Sequence, residues 1–189
     1  MSYVVTVPPA TEPLTLTEVK AHLRVDGADS DTLLTAQIQA AREHAETYLN
    51  RALITQTVQA RYDYFTEDMY VPKPNLQSVT SVKYIDTNGV EQTLNATLYK
   101  VDTFSVPGRI VPAYGEIWPS VRNEINAITI EYVAGYADAD AVPQAIKQAL
   151  LLHIGHMFEN REEATPVQVF VVPMGYERVV SAYKVWRFE

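Results

Sequence analysis

The chain has 189 residues, 47% of them apolar and 20% charged, the composition of a folded protein with one substantial core or two small ones. The absence of cysteine excludes disulfides, thiolate metal sites and cysteine nucleophiles, and the start MSYVVTVPPATEP has neither the basic region nor the apolar block of a signal peptide, so a soluble, non-exported chain is expected. A formal net charge of −8 argues against the strong, counterion-releasing attachment to nucleic acid that needs clustered Lys and Arg, and fits a surface past which a polyanion slides without sticking.

Thr15-Leu-Thr-Glu18 reads as a capping box, the hydroxyl taking the Glu18 amide and the carboxylate reaching back. Leu16, Val19 and Leu23 follow at helical spacing and predict a short helix over 16–24. VDGADSDTLL then interrupts with a glycine and offers side-chain oxygens to cap a second, longer helix. Leu34, Ile38, Ala41, Ala45 and Tyr48 form its apolar stripe, while Asp29 and Asp31 sit at the positive end of its dipole. The acidic cluster lacks the ligand spacing and closing glutamate of an EF-hand, so capping is its expected role.

From residue 54 to 136 the rhythm changes to period two. TVQARYDYF, SVTSVKYID, VEQTLNATLYKVD and NAITIEYVAGY are rich in Val, Ile, Thr and Tyr and are separated by Pro, Asn and Gly. Asn88-Gly89 is a two-residue hairpin signal. Eight of the twelve tyrosines fall here, which raises single-strand nucleic-acid stacking as a reading. Six Lys or Arg against nine Asp or Glu between Val58 and Tyr136 argue for tyrosines on a half-buried sheet or a protein interface instead.

Val142-Pro143 opens a third main helix, with Ile146, Ala149, Leu150, Ile154, Met157 and Phe158 as its buried stripe. PVQVFVVP reads as a short extended segment, and Tyr176, Val179, Val180 and Tyr183 as a last short helix before the aromatic tail KVWRFE. The expected fold class is α+β: a small helical bundle of three main helices plus a C-terminal helix, with an inserted antiparallel β region. Residues 1–53 form its N-terminal helical part, 54–136 the insertion, and 137–189 the helices and tail that complete the single domain.

His153, His156 and Glu159 on the third helix raise a metal-dependent hydrolase as the alternative. At about 100° per residue they fan over roughly 120° of the helix surface, so a compact three-ligand site from this helix alone is strained and a further ligand, His22 or His44, would have to come from elsewhere. A packing role for His153 needs less. Neither a Gly-rich phosphate loop nor a Gly-x-Ser-x-Gly elbow is present, and no cofactor is called for.

The order of segments resembles the head-tail connector (adaptor) family of tailed bacteriophages and gene transfer agents. The residues that carry the likeness are Pro13, Leu16, Glu18, Lys20, Leu23 and Arg24 in the first helix, then Asp26 and Asp31, then Tyr48, Arg51 and Gln56. VPQAIKQALLLHIGHMFENRE and PMGYERVVSAYKVWRF are similar to the family's third helix and C-terminal segment, and NLQSV, PGRI and IWP to elements of its longer branch. The resemblance implies a non-enzymatic virion structural protein at the head-tail interface, made in the bacterial host cytoplasm. It implies a ring, dodecameric in the particle, between the portal protein and a tail-side stopper or tail-completion protein, lining the channel through which DNA passes on genome ejection without specific binding, and no membrane partner. By the same resemblance the C-terminal segment docks onto the portal, with Tyr183, Trp186, Arg187 and Phe188 as candidate contacts for the portal or a neighbouring subunit; the tail, 183–189, is expected to be mobile before docking.

Overall fold

A computed structural model describes residues 2–160 and 174–186. The chain divides into two compact units, Met1–Ala10 with Thr55–Tyr136, and Thr11–Ile54 with Ala137–Glu189. Among the described residues, no helix is long and apolar enough to cross a membrane.

The first unit is all β. Its strands are β1 (Ser2–Val7), β2 (Gln56–Tyr62), β3 (Met69–Tyr70), β4 (Leu76–Ile85), β5 (Glu91–Thr93), β6 (Tyr99–Asp102), β7 (Arg109–Pro112) and β8 (Ile128–Ala134). They form an antiparallel five-stranded sheet, β1-β2-β8-β4-β5, and a three-stranded sheet, β3-β7-β6. Val58 and Ala60 of β2 and Ile128, Ile130 and Tyr132 of β8 bury one face, as period-two alternation requires. On that face the hydroxyls of Tyr62 and Tyr132 donate to the carbonyls of Tyr70 and Pro72, each at 2.5 Å, tying the large sheet to the β3 region. Gly108, at the start of β7, is required by proximity: a Cβ there would lie 2.6 Å from the Leu76 Cβ.

This architecture corrects the expected fold class. The protein is not a small helical bundle carrying a β insertion. Eight strands in two sheets make a major part of it, with a core of their own. The physical reason lies in the pairings: β1, from the very start of the chain, runs antiparallel to β2 with Ser2 opposite Arg61, and β8 joins β2 to β4. Such long-range partners leave no local signature. The hairpin at Asn88-Gly89 does form, but its loop differs from the expected two-residue turn. Asp86 N donates to Val90 O and Gly89 N to Asp86 O, and Gly89 has φ +84° while Asn88 stays out of the left-handed region, the pattern of a three-residue loop.

The second unit is helical: α1 (Leu16–Leu23), α2 (Asp31–Leu49), α3 (Gln144–Glu159) and α4 (Met174–Val180), followed by a short 3-10 turn, Ser181–Tyr183. Val19, Leu34, Ile38, Ala45, Leu49, Ile146, Leu150 and Ile154 form its core. The capping box is present, with Glu18 N on Thr15 Oγ1 at 3.2 Å and Thr15 N on Glu18 Oε2 at 2.7 Å; the exchange holds the Glu18 carboxyl below its ordinary pKa. At the start of α2 the expected side-chain cap is replaced. Ser30 makes no capping hydrogen bond, and Asp31 instead accepts from Lys20 Nζ at 2.6 Å, which staples α1 to α2. Arg24 and Asn50 end their helices in the left-handed conformation, at φ 55° and 54°. PVQVFVVP lies outside the described residues.

Candidate functional site

Of the candidate contact residues at the C-terminal end, Tyr183 and Trp186 flank Lys184 and Val185, which pack on the end of α2. After α4 and the 3-10 turn that contains Tyr183, the chain crosses the end of α2, where Val185 N donates to Leu49 O at 2.9 Å and Asn50 Nδ2 to Val185 O at 3.3 Å. The first bond satisfies a carbonyl that a helix C-terminus otherwise leaves to solvent, and the second engages the side chain of the residue that ends the helix. Lys184 Nζ lies 4.4 Å from the centroid of the Tyr48 ring and 5.2 Å from that of Trp186. Trp186, next after Val185, remains 72% exposed and presents a large aromatic surface. Arg187 and Phe188 lie outside the described residues.

Beneath this strap is an aromatic cluster that joins α2, α3 and α4. The ring of His153 lies 4.7 Å from that of His44 and 5.4 Å from that of Tyr176, and Tyr48 completes the group at 6.0 Å from Tyr176. Tyr176 is fully buried, and burial, with Tyr48 next to it, pushes its hydroxyl up to about 12. Burial also pushes His153 down to about 4, helped by the neighbouring His44 and His156, so at neutral pH its ring is uncharged. Among the described residues its buried Nδ1 has no hydrogen-bond partner.

This geometry separates the residues behind the hydrolase alternative. His153 turns to His44 and Tyr176, whereas His156 Nδ1 lies 3.3 Å from Asn160 Nδ2, and Glu159 sits exposed at the end of α3. His22 is on the α1 side, 4.0 Å from where a Cβ on Gly155 would be. Among the described residues no three His, Asp or Glu side chains are grouped closely enough to hold a metal ion. The tyrosines of the β unit also divide: Tyr132 and Tyr99 are buried, Tyr62 is pushed up by burial, and Tyr64, Tyr70 and Tyr114 are exposed on separate loops and strands. They do not present one continuous row on a single strand face, as base stacking along a strand would use.

Sequence reasoning missed two features. The His44–His153–Tyr176 cluster unites residues up to 132 positions apart, beyond any spacing rule. Arg42, buried in α2, is paired with Glu12 at 2.7 Å and Glu46 at 3.4 Å, and Glu46 also accepts from Leu53 N at 2.8 Å. The acidic partners raise the Arg42 pKa against the opposing effect of burial. The signal available was Arg42 and Glu46 at i, i+4 with Arg42 beside the apolar stripe.

The chemistry assembled here is that of packing, pairing and presented aromatic surface, which defines a protein of assembly. The head completion protein family profile matches residues 12–167, and the chain belongs to that family. Its role is structural, as a head-tail connector of the virion. The fold is shared with solved structures over the whole chain. It covers 100% of this chain and 98% of a chain in the neck of an empty gene transfer agent (GTA) particle computed with C6 symmetry, at 21% identity and TM-score 0.82. A chain in the neck of a native GTA particle computed with C12 symmetry matches at 20% identity and TM-score 0.80, with the same coverage. A chain in the virion of a native GTA particle matches at 21% identity and TM-score 0.79, again with the same coverage. No curated protein matches.

Proposed function

We propose that the chain forms a ring, dodecameric in the particle, between the portal protein and a tail-side stopper or tail-completion protein, and that DNA leaves through its channel without specific binding. The observation that carries this reading is the family match together with a fold shared end to end with neck chains of particles computed with C6 and C12 symmetry. The protein acts without catalysis and is made in the host cytoplasm before it joins the virion. A net charge of −8 suits a conduit for a polyanion, because like charge suppresses sticking to the cargo. Tyr183, Trp186, Arg187 and Phe188 form the portal-facing contact, with Trp186 its anchor because its indole is exposed next to Val185, which is bonded to the end of α2.

Portal binding by Trp186→Ala tests this. Trp186 is exposed, so the variant keeps the helical circular dichroism of the parent, and its affinity for isolated portal rings falls by about tenfold or more. Removal of 183–189 abolishes binding. Unchanged portal affinity in both variants contradicts the assignment.

A further inference from the structure

A line of side chains runs from the core of the helical unit to its exposed indole. Tyr176 of α4 is fully buried, and the Tyr48 ring of α2 lies 6.0 Å from it. Lys184 Nζ is 4.4 Å from the Tyr48 centroid and 5.2 Å from that of Trp186. One ammonium therefore serves two rings, the half-buried Tyr48 of the packed cluster and the exposed Trp186. Each ring face attracts the cation through its quadrupole, so Lys184 links the indole to a residue that the core already holds.

A second link acts on the backbone. Asn50 ends α2 in the left-handed region, at φ 54°, a place where glycine is the usual residue because it carries no Cβ. Asparagine tolerates that conformation and adds a side-chain amide, whose Nδ2 donates to Val185 O at 3.3 Å, one residue before Trp186. The Val185 amide is bonded to Leu49 O at 2.9 Å, so both polar groups of the Val185 backbone are engaged by the end of α2. An aromatic contact that is placed before its partner arrives binds more tightly, because ordering it during binding subtracts from the affinity.

The geometry points to Lys184 and Asn50 as positioning residues of the portal contact: Lys184 bridges the Trp186 indole to Tyr48, Asn50 ties the Val185 carbonyl to the end of α2, and together they hold the indole in place in the free chain. This rests on the portal reading above and adds to it the residues that prepare the contact. Asn50 acts through Val185 and Lys184 through the indole.

The test reads the indole directly. The chain has two tryptophans, and Trp118→Phe keeps an aromatic ring against Phe65 while leaving Trp186 as the single indole. In that background, time-resolved fluorescence anisotropy of the free protein separates local motion of Trp186 from overall tumbling. Asn50→Gly keeps the left-handed helix end and removes the side-chain amide. Lys184→Gln removes the charge, and Lys184→Arg restores it. The fast local component is expected to grow in Asn50→Gly and Lys184→Gln and to return to the parent level in Lys184→Arg, with the helical circular dichroism unchanged in all three. Affinity for isolated portal rings falls by about fivefold in each of the first two and is recovered in the third. A fast component equal to the parent's in both Asn50→Gly and Lys184→Gln overturns the positioning. A larger fast component with full portal affinity, where Trp186→Ala loses it, overturns its part in the contact. If Trp186→Ala binds the portal as the parent does, the portal reading falls, and the anisotropy alone decides whether these two residues hold the indole.

Discussion

The helical unit and the β unit solve different problems. In the helical unit Arg42 is buried between Glu12 and Glu46, whereas the ion pairs of the β unit, Lys83 with Glu91, Arg109 with Asp68 and Asp102, and Arg122 with Glu124, lie nearer its surface. The large apolar residues of the helical unit are mostly inside, with Leu33 and Trp186 the exceptions among the described residues. Among the described residues the β unit holds ten of the twelve exposed large hydrophobics, including Phe104, Tyr114, Ile117 and Ile125. Free proteins rarely keep that much apolar surface on loops without a partner to cover it. Beside the portal contact proposed at Trp186, the β unit therefore offers a second set of exposed apolar side chains.

The largest expected effect comes from emptying the β core. Ile130 in central β8 is fully buried, and Ile130→Ala is expected to cost about 2–5 kcal/mol, read as a fall in the urea midpoint. A loss under 1 kcal/mol, on the order of a surface change, would show that the two sheets lack a core of their own.

The helical unit has its own weak point in acid. His153 titrates at about 4 in the fold against an ordinary 6.5, so between those values the unfolded chain binds more protons and stability falls as pH drops from about 6.5 to about 4. The loss amounts to roughly 3 kcal/mol at most, at 1.36 kcal/mol per pKa unit. His153→Leu removes the charge that acid would bury beside His44, Tyr176 and His156, so the difference in urea midpoint between pH 7 and 4.5 shrinks relative to the parent. An equal difference in both proteins rejects the cluster as the acid-sensitive element.

Two smaller changes sharpen the contrast between long-range and local order. Gly108→Ala forces a Cβ against Leu76, and the strain is expected to cost about 1–3 kcal/mol in the β unit. Thr15→Ala removes a cap that spans three residues, and about 1 kcal/mol goes with it, measured by thermal melting of the helical signal. A Thr15 variant that costs more than the Gly108 variant would reverse the ranking of local and long-range order.

What could be read beforehand follows the same division. The capping box, the stripes of α1, α2 and α3, and the proline that precedes α3 all lie within a helical turn or two of their partners, and the predicted span 16–24 matches α1 to within a residue. β1 went unread because six residues ahead of Pro8-Pro9 carry no pairing information, and their partner strand begins at Gln56. The separate β3-β7-β6 sheet was hidden for the same reason, since strand composition says that strands exist and not which sheet takes them. Asn88-Gly89 marked a hairpin correctly and its loop length incorrectly, because Asp86 accepts from the amides of Asn88 and Val90 and holds the wider turn. Of the candidate site, Trp186 stood out as an aromatic near the end of the chain, whereas the exposed turn at Tyr114 and Ile117 could not be separated in sequence from the buried aromatics around it.

Native mass spectrometry of the full chain at high concentration, alone and mixed with portal rings, tests the central claim most directly. A closed ring of identical subunits, or twelve copies on each portal, is the predicted result. A chain that stays a monomer in both samples and leaves the portal mass unchanged would contradict it.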